Sequence, residues 1–459
     1  EFMYQQGENH MAANIQAPKG TKDILPKNSG TWQLVEDVMR DEASIHGFEE
    51  IRTPVFERTE LFERSVGDTT DVVQKEMYTF LDKGNRSISL RPEGTAGVVR
   101  ALLEHALINE GVPQKFYYLI SCYRYENTQE GRQREFHQFG CEAFGAAAPV
   151  ADAELIALAH GIFERLGIRN LSLEINSIGC PECRAKYHAA LKAFLEASKS
   201  ELCDTCLERL DKNPMRILDC KTPSCGEITQ NAPVMKDYLC HECAEHFTAV
   251  QEYLDAAEIE YTVNPRIVRG LDYYTRTVFE FISNDLGAQS TVCGGGRYDG
   301  LVKQMGGAQT PALGFAMGME RLLLIMQAQG IQLPEPPVCE LYIAPLGKQA
   351  QIKAFAFTNM LHQASIKAEC DMCDRSLKAQ MKYADKIGAL FTLVLGDDEL
   401  KHNQAELKNM KTGEKTSISL GDTFLTEFVA AATQAEDMMA LNMDELSVDL
   451  ESFKQFEKE

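Results

Sequence analysis

Residues 116–145 read FYYLISCYRYENTQEGRQREFHQFGCEAFG. Two strand-like halves flank a polar loop with Gly131 at its tip, a pattern that folds back on itself as an antiparallel hairpin. Strand side chains alternate between faces, so Arg124 and Glu126 share one face of the first half, and Gln138, Gly140 and Glu142 share one face of the second. Further strand-like runs recur at SISLRPEGT, LSLEINS, YTVNPRIVRG, YTRTVFEFIS and STVCGG, with helical stretches between only some of them. Strands clustered this way predict an α+β core, a mainly antiparallel sheet with helices packed on it.

Upstream, SGTWQLVEDVMRDEASIHGFEEIRTPVFE predicts a helix with the apolar stripe Trp32, Val35, Val38 and Met39, closed by Gly47 and followed by a strand broken at Pro54. Downstream, LPEPPVCEL concentrates proline and reads as a stiff linker over 331–338. Beyond it, ELYIAPL, SIKAECDM and LFTLVLGD alternate with helical segments, the βαβ pattern of a small parallel-sheet domain over 339–429. The core is then expected over 19–177 and 251–330, interrupted by an insertion at 178–250. Residues 1–18 form an extension, with Met3 and Met11 as candidate starts and the preceding EF as a remnant of expression. Residues 430–459 are acidic and spaced as a short amphipathic helix, with a solvating tail as the alternative.

The composition, 44% hydrophobic and 25% charged, is that of a globular protein. No apolar run approaches the roughly 18 to 20 residues that span a bilayer, and no signal peptide is evident, so a cytoplasmic location is expected and a membrane partner is not. The net charge of −22 argues against general attraction to nucleic acid, though not against local basic patches.

Several segments carry residues suited to chemistry. In RPEGTAGVVRALL, Arg91, Glu93 and Thr95 sit where a strand turns into a helix. There Glu93 could meet an ammonium group or, with Thr95, cap the helix. The hairpin adds Arg124, Glu126, Arg132, Gln138 and Glu142. In CGGGRYDGLV, Gly294, Gly295 and Gly296 permit close backbone approach. In PALGFAMGMERLLL, Gly314 and Gly318 open a helix that carries Arg321. Neither glycine pattern is a Rossmann or P-loop fingerprint. RGLDYYTRTVFEF repeats aromatic and β-branched residues at Tyr273, Thr275, Thr277, Phe279 and Phe281, a half-buried strand with Arg269 and Asp272 at its mouth.

As a set these residues resemble the histidyl-tRNA synthetase family of class II aminoacyl-tRNA synthetases, from about Lys19 to about residue 430. The helix and strand around Pro54 resemble motif 1, YRYE…FHQFGCE motif 2, PALGFAMGMERL motif 3, and RGLDYY the histidine-specific signature. The resemblance implies activation of L-histidine by ATP and Mg2+, then transfer to the 3′ end of tRNA(His) by a homodimer. It implies catalytic roles for Arg124, Arg269 and Arg321 at the phosphates, with Glu126 and Arg132 also at ATP. Histidine would be held by Glu93, Thr95, Gln138, Glu142, Tyr273 and Tyr274, and the tRNA acceptor end by Gln129 and Arg132. Asn127 and Thr128 depart from the basic residue and proline common in that loop. The C-terminal domain resembles the class IIa anticodon-binding domain, with Lys378, Lys382 and Lys386 as anticodon contacts or a solvated helix face. The regulatory subunit of ATP phosphoribosyltransferase resembles the same core without that domain, and is the competing reading.

The insertion contains CPEC, CDTC, CKTPSC and CHEC, with Cys180, Cys183, Cys203, Cys206, Cys220, Cys225, Cys240 and Cys243. The spacing of the first four fits a zinc site well and that of the second four fits loosely, so two structural zinc sites are self-consistent, against reduced unmetallated thiols or disulfides, although the order does not establish which pairs share a metal. The isolated CDMC at Cys370 is expected to be packing.

Overall fold

The computed structural model describes residues 15–67, 70, 72–218, 220, 222–267, 273–285, 291–331 and 339–443. The chain divides into two compact units, Glu1–Leu333 and Pro334–Glu459. An eight-stranded sheet organises the first, in the order Glu49–Glu50, Gln114–Tyr123, Glu135–Phe144, Ala312–Gly318, Thr291–Arg297, Thr275–Ser283, Leu171–Ser177 and Thr262–Val263. Every interior pairing is antiparallel, and only the two short outermost strands run parallel to their neighbours.

The predicted hairpin supplies its second and third strands, with Tyr118 opposite Gly140 and Ile120 opposite Gln138. Alternation sends Phe139, Cys141 and Ala143 into an apolar layer with Phe281 and Phe315. Helices Pro26–Ile45, Val150–Arg165, His241–Ala256 and Met319–Ala328 cover that layer through residues such as Val35, Ile156, Val250 and Leu322. Val35 and Met39 of the expected stripe are fully buried, and Trp32 and Val38 pack at its margin. The opposite face carries Tyr118, Ile120, Cys122 and Phe144 against helix Thr95–Glu104. That leaves Gln138, Gly140 and Glu142 on the side away from the helical layer. After Pro54 the chain leaves the large sheet, and Phe56–Arg58 joins Ser87–Leu90 and Thr79–Leu81 in a separate three-stranded sheet.

The strand Thr275–Ser283 departs from the half-buried expectation. Phe279 and Phe281 face the helical layer while Val278 is buried on the other side, so both faces are covered. Arg276 has φ 51°, which interrupts the alternation. Tyr273 therefore lies on the face opposite Phe279 instead of sharing it.

One polar network crosses this core. Arg297, with no solvent access, donates from Nε to both carboxylate oxygens of Asp152 at 3.0 and 2.9 Å, and from Nη2 at 2.7 Å. Its remaining hydrogens reach the carbonyls of Ala146 and Ala148 and the carboxylate of Asp299. Burial opposes the charge on Asp152, but hydrogen bonds from His246 and Arg297 outweigh it and hold this carboxyl below its usual range.

The insertion is helical, with Pro181–Glu196, Asp204–Lys212, Pro223–Thr229 and His241–Ala256. The second unit has a five-stranded sheet in the order Ala368–Cys370, Leu341–Pro345, Phe391–Leu395, Gln404–Asn409 and Lys415–Ser419. Only its first three strands are parallel. The last two add an antiparallel hairpin, so the sheet is mixed and not the purely parallel one expected. Helix Phe424–Met443 runs across residue 430, and residues 444–459 lie outside the described residues. Most of the expected linker also lies outside them.

Truncating one member of a fully buried, hydrogen-bonded ion pair strands the other charge. Arg297→Ala is expected to destabilise the first unit by about 3–5 kcal/mol, read from the shift in its chemical-denaturation midpoint.

Candidate active site

A cavity of about 290 Å³ opens on the sheet face opposite the helical layer. At one end lies Glu142, 1% exposed. Three hydroxyls converge on its carboxylate: Thr95 donates to Oε1 at 2.6 Å, Tyr118 to the same oxygen at 3.1 Å, and Tyr298 to Oε2 at close range. Burial drives the pKa of Glu142 up to about 8; the hydroxyls of Thr95 and Tyr298 pull against that rise and the charge of Glu93 adds to it. Burial also raises the pKa values of Tyr118, Tyr273 and Tyr298 well above the phenol range, which keeps all three as neutral donors. The rings of Tyr273 and Tyr274 lie 4.7 Å apart, and Tyr273 meets Tyr298 at 5.5 Å.

Glycines make room for this arrangement. A Cβ on Gly314 would stand 1.7 Å from Glu142 Oε2, and one on Gly140 or Gly94 would come 2.3 or 2.4 Å from the Tyr118 ring. Gly314 thus acts from the middle of strand Ala312–Gly318, paired with Glu142, and only Gly318 stands at a helix start. Of the glycine triplet, Gly294 lines the cavity. A Cβ on Gly295 or Gly296 would instead strike neighbouring backbone at 2.4 Å, so these two serve strand packing.

Glu93 lines the cavity and also caps its own helix. Its carboxylate accepts the backbone N–H groups of Thr95 and Ala96 at 2.7 and 2.9 Å. Burial raises its pKa, with those two bonds opposing the rise. Arg91 faces inward to the carbonyls of Ser121 and Thr53 and fixes the corner. Gln138 lines the wall, accepting from the Cys122 thiol at 3.7 Å.

The other end is cationic. Arg124 donates to the Pro92 carbonyl at 2.8 Å and lies over the Phe136 ring at 5.3 Å. Arg132 reaches Glu126 at 3.1 Å, and Arg321 donates to the Thr291 carbonyl. Burial, then repulsion from Arg132, lowers the pKa of Arg321. Thus Arg124, Glu126, Arg132 and Arg321 share one cavity with Glu93, Thr95, Gln138, Glu142, Tyr273 and Tyr274. Gln129 pairs with Arg132 across the hairpin turn and is not among the lining residues. Arg269 lies outside the described residues. Sequence reasoning overlooked Tyr118, Tyr298 and Phe136 as site residues. Tyr118 has the parity of Arg124, which is a signal for its face, whereas the reach of Tyr298 to Glu142 has no local signature.

The cysteines form two groups, Cys180 with Cys183, Cys240 and Cys243, and Cys203 with Cys206, Cys220 and Cys225. Within each group the sulfurs lie within 4.8 Å of one another. Grouping is therefore nested and not first four against last four, because the chain returns to Cys180 and Cys183 only at Cys240 and Cys243: the outermost pairs form one group and the inner pairs the other. A tetrahedral Zn2+ with bonds of about 2.3 Å sets its sulfurs about 3.8 Å apart. The Sγ separations of Cys180 to Cys183 and Cys203 to Cys220, 3.5 and 3.8 Å, suit that size and exceed any disulfide. Cys370 and Cys373 belong to neither group.

Because Glu142 holds its proton more tightly folded (about 8) than unfolded (4.5), stability from this group is present at low pH and lost as pH rises through that window. Glu142→Gln, which does not titrate, is expected to gain thermal stability relative to the parent as pH rises from about 5 to about 9. A midpoint difference independent of pH in calorimetry would refute this.

Residues 20–322 match the family model described as Histidyl-tRNA synthetase, and residues 340–427 that described as Anticodon binding domain. A histidine--tRNA ligase of Acetivibrio thermocellus is 55% identical over 411 residues, 90% of this chain and 98% of the relative. One of Clostridium novyi is 53% identical over 408 residues, 89% of this chain and 97% of the relative. The crystal structure of apo S. aureus histidyl-tRNA synthetase aligns with a TM-score of 0.78 at 41% identity, covering 90% of this chain and 99% of that one. With its two-ended cavity and its separate second unit, the chain belongs to the histidyl-tRNA synthetase family of class II aminoacyl-tRNA ligases.

Proposed function

We propose that this chain is a histidine–tRNA ligase whose cavity joins L-histidine to ATP and whose product is histidyl-tRNA(His). The observation that carries the reading is a single cavity with a hydroxyl-ringed carboxylate at one end and three arginines at the other. Glu142 and Tyr274 read the imidazole nitrogens, with Tyr273 packed beside them, and Glu93, Thr95 and Gln138 hold the ammonium and carboxylate. A carboxylate oxygen of histidine then attacks the α-phosphorus, the bond to the bridging oxygen breaks, and pyrophosphate leaves. Arg124, and by resemblance Arg269, neutralise charge on the α-phosphate, and Arg321 the γ-phosphate. Neither a protein nucleophile nor a protein base is required.

Mg2+ would travel on the ATP phosphates and supply further charge neutralisation, with Glu126 as the carboxylate among the arginines. A hydroxyl of the tRNA 3′-terminal ribose then attacks the carbonyl carbon of the histidyl-adenylate, the bond to the phosphate oxygen breaks and AMP leaves with the proton passing to solvent or phosphate, with Gln129 and Arg132 at the acceptor strand. The second unit takes the anticodon loop, and Lys378, Lys382 and Lys386 are exposed along one face of helix Leu377–Lys386. This unit and the named relatives weigh against the regulatory-subunit reading. The two tetracysteine groups hold structural Zn2+. Among the described residues no helix is long and apolar enough to cross a membrane, and we assign the chain to the cytoplasm. The exposed Val55, Phe56, Phe80 and Leu81 on and beside the small sheet support a homodimer through the motif 1 region.

Amino-acid-dependent ATP–pyrophosphate exchange tests the assignment: histidine alone among the common amino acids is expected to stimulate it, and Arg321→Ala to slow it by about 100-fold or more. Exchange driven equally by another amino acid would overturn the reading. Sedimentation tests the assembly, with Phe56→Glu expected to shift a dimer to monomer.

A further inference from the structure

The outer cysteine group stands against the strand that carries the tyrosine pair. Gly179, immediately before Cys180, accepts the Arg276 N–H at 2.9 Å, and the Arg276 carbonyl accepts the Ile178 N–H at 2.7 Å. Gly179 has φ +67°, and a Cβ there would come 2.5 Å from the Cys183 side chain. One residue past Cys183, Arg184 donates to the Tyr274 carbonyl at 3.1 Å.

The second helix contributing to this group holds the same strand from another side. Glu242, between Cys240 and Cys243, accepts from the Arg276 guanidinium. His246, one turn on, meets Arg276 through Nδ1 at 3.4 Å and Asp152 through Nε2 at 3.1 Å. Since a guanidinium only donates, Nδ1 accepts and Nε2 carries the proton. Arg276 itself is held at φ 51°, a conformation that costs a non-glycine residue energy and persists only when its surroundings enforce it. Among the described residues the inner group is placed differently. Its helix Asp204–Lys212 packs on Pro214–Ile217 and on Pro181–Glu196, whereas His241–Ala256 packs on Val150–Arg165 and on strands Leu171–Ser177 and Thr275–Ser283.

We infer that the two metal sites have different tasks: the Zn2+ held by Cys180, Cys183, Cys240 and Cys243 is a positioning centre for the histidine pocket, and that held by Cys203, Cys206, Cys220 and Cys225 serves the insertion's fold alone. By tying the N-termini of helices Pro181–Glu196 and His241–Ala256, the outer ion fixes Arg184, Gly179 and Arg276, and so the height at which Tyr273 and Tyr274 enter the cavity. The ion touches no substrate. The inference rests on the histidine-activation reading, since the tyrosines matter only if they meet the amino acid.

The test uses the full chain, purified after growth with zinc, with elemental analysis of bound metal and histidine-dependent exchange kinetics. The parent is expected to hold about two zinc ions per chain and Cys243→Ser and Cys206→Ser about one each. Cys243→Ser is expected to raise KM for histidine about tenfold while KM for ATP moves less than about twofold, and Cys206→Ser to leave KM for histidine within about twofold. Arg184→Ala keeps all eight ligands and is expected to reproduce the histidine effect, with Arg184→Lys recovering most of it. If Cys243→Ser does not fold, Arg184→Ala decides, and an unchanged KM for histidine overturns the inference. Loss of one zinc in Cys243→Ser with KM unchanged overturns the positioning task and leaves the metal reading intact. A zinc-free parent would overturn both, and a zinc-loaded parent without histidine-dependent exchange would overturn the activation reading and this inference with it.

Discussion

A guanidinium with no access to water is costly unless every hydrogen finds an acceptor and its charge finds a partner. Arg297 meets that demand with one carboxylate on helix Val150–Arg165 and the carbonyls just beyond strand Glu135–Phe144. This pair thereby fixes the helical layer against the middle of the sheet. The residues that follow it depend on that fixture: Tyr298 turns to Glu142, and Asp299 takes the backbone N–H of Ala312 at 3.0 Å. Through His246 the network extends to the insertion.

The two ends of the cavity solve opposite electrostatic problems. At the Glu142 end, burial favours the protonated acid, and the hydroxyls aimed at it only partly offset that preference. Reorganising that end to accept a ligand of the wrong shape would leave buried donors unpaired, which is how a site rejects near-isosteres. At the arginine end, like charges are held together before any phosphate arrives, and Glu126 and backbone carbonyls offset the repulsion. Preorganised cations of this kind stabilise charge that develops on a phosphoryl group without having to move.

The hairpin was legible because its period of two and its polar loop are local properties, and the same parity placed Gln138, Gly140 and Glu142 on one face. Family motifs then supplied roles that spacing alone cannot. Three features escaped for physical reasons. The face of Tyr273 depended on a left-handed Arg276, which no alternation rule anticipates. The mixed sheet of the second unit depended on Gln404–Asn409 and Lys415–Ser419, short polar strands whose pairing is decided by the neighbouring edge and not by their own composition. The nested cysteine pairing depended on helices returning to their starting point, which is a property of the insertion's tertiary path.

The clearance around Gly314 has a consequence for how such a pocket can change over time. With only 1.7 Å between a would-be Cβ and Glu142 Oε2, position 314 can accept a side chain only after position 142 has lost its length. A shortened residue 142 in turn abandons three hydroxyls that were matched to it. Tyr118 is locked in the same way between Gly94 and Gly140. Drift toward a new amino-acid preference must therefore pass through variants with unpaired buried groups. The barrier to altered specificity lies in the absence of a side chain at Gly314, Gly94 and Gly140, which a comparison of side-chain contacts alone would miss.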